Sequence, residues 1–147
     1  MKILVINGPN LNMLGKRNKA IYGNKTLAGL ETILKNQGKK LGVEVVTFQS
    51  NGEGQMIDFI QENYSRAHGI IINPGALTHY GFSLRDALED TSLPIIEVHI
   101  SNIYARKEFW RAESVIAPIA RGQIAGLGFH GYIAALQIMA EKPKGKR

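Results

Sequence analysis

Arg17 and Tyr22 stand five residues apart in a long polar stretch that opens with Asn10, so a permanent cation lies close to a titratable phenol. Further along come Asn73 and His79, and then Glu97, His99 and Ser101. Together they supply a phenol, a guanidinium, two imidazoles and a carboxylate, groups that move protons and hold anions. Cysteine is absent, which excludes disulfides, thiolate nucleophiles and cysteine-ligated metals.

Each residue alone has an ordinary structural use. Tyr22 can pack on the surface as a loop aromatic, and Arg17 can be a solvated cation. His79 or His99 can be a satisfied structural histidine. Asn73 before Pro74 is a turn former. Ser83 and Asp86 approximate a capping box, and Ser101 can cap the next turn. Glu97 resists such a reading, because a carboxylate closing an apolar strand needs a partner.

What gathers these residues is the order of elements. Ile3-Leu4-Val5-Ile6 is short, apolar and β-branched, and stops at Asn7-Gly8-Pro9-Asn10, as a buried strand does. The loop after it is longer than the roughly 2–6 residues usual between strand and helix. A helix capped by Thr26 runs to about Lys40, with Leu27, Leu30, Leu34 and Leu41 on one stripe and Gly42 at its end. Val43 to Phe48 is the second strand, and Met56, Ile57, Ile60, Tyr64 and Ala67 mark a second helix. Ile70-Ile71-Ile72 is the third strand, a helix starts near Ser83, and Pro94 to Val98 is the fourth strand. A polar stretch with one helical turn near Arg106 to Phe109 follows. The fifth strand spans Gln123 to Gly126. The last helix, about Gly131 to Glu141, buries Ile133, Leu136 and Met139 or Ala140.

Five alternations of strand and helix predict an α/β fold: a flavodoxin-like, doubly wound parallel sheet of five strands, order 2-1-3-4-5. Continuous apolar strands agree with burial on both faces. Parallel strands all end on one side, so the residues after strands one, three and four become neighbours there, where a site is expected.

The totals bound the partners. The net charge of +6 concentrates in the tail Lys142 to Arg147, which holds four cations and no anion; without it 14 basic residues face 12 acidic ones. This predicts a single catalytic domain over 1–141 and a basic, disordered tail over 142–147. No nucleic-acid partner is expected, because no basic face interleaved with aromatics appears elsewhere. Neither a membrane span nor a targeting segment is expected, so the chain reads as cytoplasmic. Gly8 to Gly15 is not the G-x-G-x-x-G fingerprint, and Gly15-Lys16-Arg17 lacks the spacing and hydroxyl of a phosphate loop. His79 and His99 lack helical metal-ligand spacing, so a zinc site with Glu97 has no support.

The motifs match a family. Gly8-Pro9-Asn10-Leu11-Asn12-Met13-Leu14-Gly15, Arg17 and Tyr22-Gly23 resemble the opening of type II 3-dehydroquinate dehydratase. So do Phe48 to Asn51, Asn73-Pro74-Gly75-Ala76, His79, Leu84-Arg85-Asp86-Ala87 and Glu97-Val98-His99-Ile100-Ser101-Asn102. The likeness continues through Ala105-Arg106, Ser114 and Gly126-Leu127-Gly128 to Gly131-Tyr132, in order and over nearly the whole chain.

This resemblance implies a step of the shikimate pathway, the anti elimination of water from 3-dehydroquinate through an enolate to 3-dehydroshikimate, with no metal, cofactor or Schiff-base lysine. A free tyrosine has a pKa of about 10, and an adjacent cation favours phenolate. By resemblance, Tyr22 is the base and Arg17 the cation that ionises it. A water held near Asn10 would donate to the enolate. His99 would protonate the leaving hydroxyl while Glu97 fixes its tautomer and favours its charged form. Asn73 and His79 would hold ring hydroxyls, and the Ile100 and Ser101 N–H groups the substrate carboxylate. Arg111, taken over Arg106 by register from Ser114, would reach a hydroxyl. Asp86 would enter a neighbouring subunit's site, which implies trimers assembled into a homododecamer. Arg17 and Tyr22 would ride on a closing lid. There Asn18-Lys19 replaces the family's usual Glu-Pro, a looser lid.

The alternative reading is a non-catalytic flavodoxin-like module for a phosphate or flavin. Such modules want Ser, Thr or Gly in the first loop rather than an arginine and a tyrosine.

Overall fold

The computed structural model describes residues 1–16, 20 and 25–141. Arg17, Tyr22 and the basic tail lie outside the described residues. The strands are β1 (Lys2–Asn7), β2 (Glu44–Gln49), β3 (Gly69–Asn73), β4 (Ile95–His99) and β5 (Gly122–Ala125), and the helices are α1 (Leu27–Leu41), α2 (Glu53–Asn63), α3 (Phe82–Asp90) and α4 (Phe129–Ala140). All strand pairs are parallel, in the order β2-β1-β3-β4-β5, as the alternation predicts.

The period-two strand pattern makes two cores. Ile3 and Val5 of β1, with Ile71, Ile96 and Val98, pack against Leu30 and Leu34 of α1 and Tyr132 and Leu136 of α4. Leu4 and Ile6, with Ile70, Ile72 and Ile95, pack against Met56 and Ile60 of α2 and Leu84 and Leu88 of α3. Both faces of the three inner strands are buried, which is why their sequences read as unbroken apolar runs.

Several local expectations are corrected. The stripe of α1 continues at the buried Gly38, where Val43 and Val45 press close, while Leu41 is exposed. Tyr64 is likewise exposed. In α4, Tyr132, Leu136 and Met139 are buried, whereas Ile133 and Ala140 only lean on that core. Helix α3 begins at Phe82, one residue earlier than expected, so Ser83 lies inside its first turn and forms no capping box with Asp86. The Glu53 carboxylate of α2 instead accepts the Leu84 N–H at 3.1 Å. After β4, it is Asn102 rather than Ser101 that caps a 3₁₀ turn, Ile103–Ala105, and a second turn spans Phe109–Ala112. Thr26 does cap α1, accepting the Gly29 N–H at 3.1 Å.

Two glycines let the loops after β1 and β3 meet. A Cβ on Gly8 would lie 2.4 Å from the Pro74 carbonyl oxygen. Gly75 adopts φ +60°, a conformation costly for other residues, and lies hard against Pro9. The segments that follow β1 and β3 are thereby packed together at the C-terminal sheet edge.

Candidate active site

At that edge lies a cleft lined by Asn10, Asn73, His79, His99, Ile100 and Ser101, with Pro9, Leu11, Gly75, Ala76, Ile103, Arg106 and Arg111 around them. Seven of the residues singled out in the sequence therefore share one space. Glu97 lies directly behind it. Asp86 stands apart: its side chain is 73% exposed on α3 and is 3.9 Å from Arg85.

Register explains the amide cluster. Gln49, Asn7 and Asn73 end β2, β1 and β3 at the same level. Gln49 Nε2 donates to the Gly8 carbonyl and to Asn51 Oδ1, each at 3.2 Å, and Asn51 Oδ1 also accepts the Asn10 N–H at 2.9 Å. These bonds hold Asn10 at φ 70°, a left-handed conformation that asparagine tolerates better than most residues. Asn73 is held at both ends of its amide, with Nδ2 donating to the Tyr132 hydroxyl at 2.9 Å and Oδ1 accepting the Gly75 N–H at 3.1 Å.

Glu97 and His99 are two residues apart on β4, so their side chains leave the sheet on the same face. Glu97 is fully buried. Its Oε1 accepts the Ser114 hydroxyl at 2.5 Å, and its Oε2 accepts Gln123 Nε2. Ser114 Oγ also receives the Ile116 and Ala117 N–H groups, at 3.1 and 2.9 Å, which leaves its own proton for the carboxylate. His99 Nε2 lies 3.5 Å from Glu97 Oε1, is buried, and makes no hydrogen bond among the described residues. The Glu97 carboxylate thus faces Nε2 of a histidine that lines the cleft.

His79 has its tautomer set by a backbone carbonyl. Its Nδ1 sits 2.6 Å from the Glu113 carbonyl oxygen, which only accepts, so Nδ1 carries the proton and a neutral ring offers Nε2 as acceptor. The edge of Trp110 packs on this ring. Arg111 stacks on Trp110, 4.5 Å from the ring centre, and reaches Glu108 at 3.5 Å. Arg106, set aside in the sequence reading, donates to Ser101 Oγ at 3.0 Å and lines the same cleft. The carbonyls of His99 and Ile100 accept Gly126 and Gly128 N–H groups at 3.2 and 3.0 Å, which pins the turn carrying Ile100 and Ser101. Among the described residues no three His, Asp or Glu side chains come together as a metal-ligand set. No described helix is long and apolar enough to cross a membrane.

Sequence reading missed the residues that hold these groups rather than face the cleft. Asn7 and Tyr132 went without a role. Ser114 served only as a register mark. The signal for Gln123 was present, because it is the one polar side chain of β5 and pairs in register with the Glu97 that needed a partner.

The family model of class II dehydroquinase matches residues 1–140. The chain belongs to that family. A Roseiflexus castenholzii protein named 3-dehydroquinate dehydratase is 58% identical over 137 residues, 93% of this chain and 87% of that protein. One of the same name from Lachnoclostridium phytofermentans is also 58% identical, over 92% of this chain and 94% of its own length. The crystal structure of the type II dehydroquinase from Butyrivibrio crossotus superposes with a TM-score of 0.92 at 50% identity, covering 96% of this chain and 98% of that one. That from Propionibacterium acnes gives 0.90 at 44% identity, covering 95% of each chain. The dehydroquinase fold is thus shared along nearly the full length. The phosphate- or flavin-binding alternative is not supported.

Proposed function

We infer that this dehydroquinase is a 3-dehydroquinate dehydratase of the shikimate pathway, a hydro-lyase that eliminates water from 3-dehydroquinate to give 3-dehydroshikimate. The observation that carries the reading within the molecule is the buried Glu97–His99 pair opening into a cleft of amides, imidazole and guanidinium groups.

The chemistry asks for a base at a carbon next to a ketone and an acid at a hydroxyl one carbon further on. Tyr22, ionised by Arg17, takes the carbon-bound proton, and the electron pair moves onto the ketone oxygen as an enolate. A water held by Asn10 donates to that oxygen. The enolate then re-forms the carbonyl, the new carbon–carbon double bond forms, and the hydroxyl departs with a proton from His99 as water. Glu97 supports the positive imidazole that gives this proton. Asn73 and His79 bind ring hydroxyls, the N–H groups of Ile100 and Ser101 the carboxylate, and Arg111 a further hydroxyl.

Asp86 completes the site of a second copy, in a dodecamer built from trimers. In support, it sits one helical turn after Phe82, which is 63% exposed, so α3 presents an acid beside an exposed aromatic suited to burial. The enzyme works in the cytoplasm, with no cofactor.

Absorbance tests the reading. Purified protein mixed with 3-dehydroquinate, without added metal or nucleotide, should generate the absorbance of a conjugated enone. Protein that is folded and leaves the substrate unchanged would refute it.

A further inference from the structure

We propose that Gln123 and Tyr104, neither of which lines the cleft, are positioning residues that clamp Glu97 so that Oε1 is turned to His99. The proposal rests on the dehydratase reading for its kinetic consequence.

The geometry begins with the sheet. Glu97 and Gln123 are partners across β4 and β5, so their side chains rise side by side from one face. Gln123 Nε2 donates to Glu97 Oε2, and the Tyr104 hydroxyl donates to Gln123 Oε1. A glutamine amide can turn over and exchange its two ends. The reversed amide would set its oxygen against a carboxylate oxygen, two acceptors with no proton between them. The tyrosine hydroxyl, giving its proton to Oε1, reinforces the orientation that Glu97 requires. With Oε2 taken by the amide and Ser114 on Oε1, the carboxylate cannot swing away, and Oε1 stays 3.5 Å from His99 Nε2. A phenol at the surface, 54% exposed, thereby acts on the imidazole through two intervening side chains.

The clamp touches no substrate atom, so it should act on turnover and not on binding. Gln123→Leu removes a donor from a buried carboxylate, and kcat should fall about 10–100-fold with KM within twofold. Tyr104→Phe removes one exposed hydroxyl, and kcat should fall about threefold with KM and melting temperature unchanged. The effects should not multiply: on the Gln123→Leu background, Tyr104→Phe should change nothing further. Independent of turnover, ¹⁵N spectra of the labelled His99 ring should show a shifted tautomer balance in Gln123→Leu. Wild-type kcat in Tyr104→Phe, a rise in KM alone, multiplicative effects or an unchanged His99 spectrum would each overturn the clamp. An inactive wild-type protein would refute the dehydratase reading and leave the spectral test of the clamp standing.

Discussion

Asn73 and Tyr132, 59 residues apart in sequence, are joined by a hydrogen bond of 2.9 Å from the amide Nδ2 to the phenol oxygen. The same phenol gives its only proton to Asn7 Oδ1 at 2.6 Å, so towards Asn73 it can only accept. Helix α4 therefore decides, from beneath the sheet, which end of the Asn73 amide is committed and which N–H and lone pair remain for a ligand.

Tyr132→Phe keeps the ring and deletes that junction. Two buried amide atoms lose their partner beside Asn7 Nδ2, which already has none among the described residues. Stability should fall by about 1–3 kcal/mol, read from urea unfolding. The freed Asn73 amide should also raise KM more than it lowers kcat. An unchanged KM would show that the amide is held by Gly75 alone.

Alkali provides a second test of the same phenol. Burial pushes the Tyr132 hydroxyl well above its ordinary range, offset only in part by the Asn73 hydrogen bond. The native state keeps a proton that the unfolded chain releases above a pH of about 10, so the contribution is complete below that pH and is lost as pH rises towards the native value. Unfolding free energy should drop by about 1.4 kcal/mol more per pH unit above that point in wild type than in Tyr132→Phe. Parallel slopes in the two proteins would mean that the phenol ionises without unfolding.

Much of this was legible beforehand, and the limits have physical causes. Alternation of short apolar runs with amphipathic stretches specifies a parallel sheet, and parallelism alone brings Asn73, His79 and His99 to the edge that also receives Asn10. Side-chain partners are a different matter. Ser83-x-x-Asp86 satisfies a capping pattern, yet a carboxylate from another helix, Glu53, reaches the Leu84 N–H instead. Local pattern cannot foresee a donor or acceptor 31 residues away. Register alone does not separate Arg106 from Arg111 for a related reason: two 3₁₀ turns fold the segment so that both cations reach the cleft.

Glu97→Gln tests the acid side of the site. An amide in this place still fills the volume, but it has one acceptor oxygen for the Ser114 and Gln123 donors and cannot support a positive imidazole. Turnover should fall about 10²–10⁴-fold, the range for loss of a positioned proton donor, with KM little changed. Steady-state kinetics at neutral pH decide it. A loss below threefold would leave Glu97 a structural carboxylate and His99 acting without it.

The base side rests on Arg17 and Tyr22, which lie outside the described residues, and two substitutions separate their roles. In the proposed mechanism Tyr22→Phe removes the oxygen that accepts the carbon-bound proton, so turnover should vanish while circular dichroism and substrate binding persist. Near-normal turnover would pass the role of base to another group. Arg17→Ala leaves the phenol in place without its cation. Because the guanidinium matters most while the proton leaves carbon and charge grows on the substrate, kcat should fall by more than KM rises. If KM rises alone, the arginine binds substrate and transition state equally and is only an anchor. If kcat recovers at alkaline pH in Arg17→Ala but not in Tyr22→Phe, phenol ionisation is what the arginine supplies.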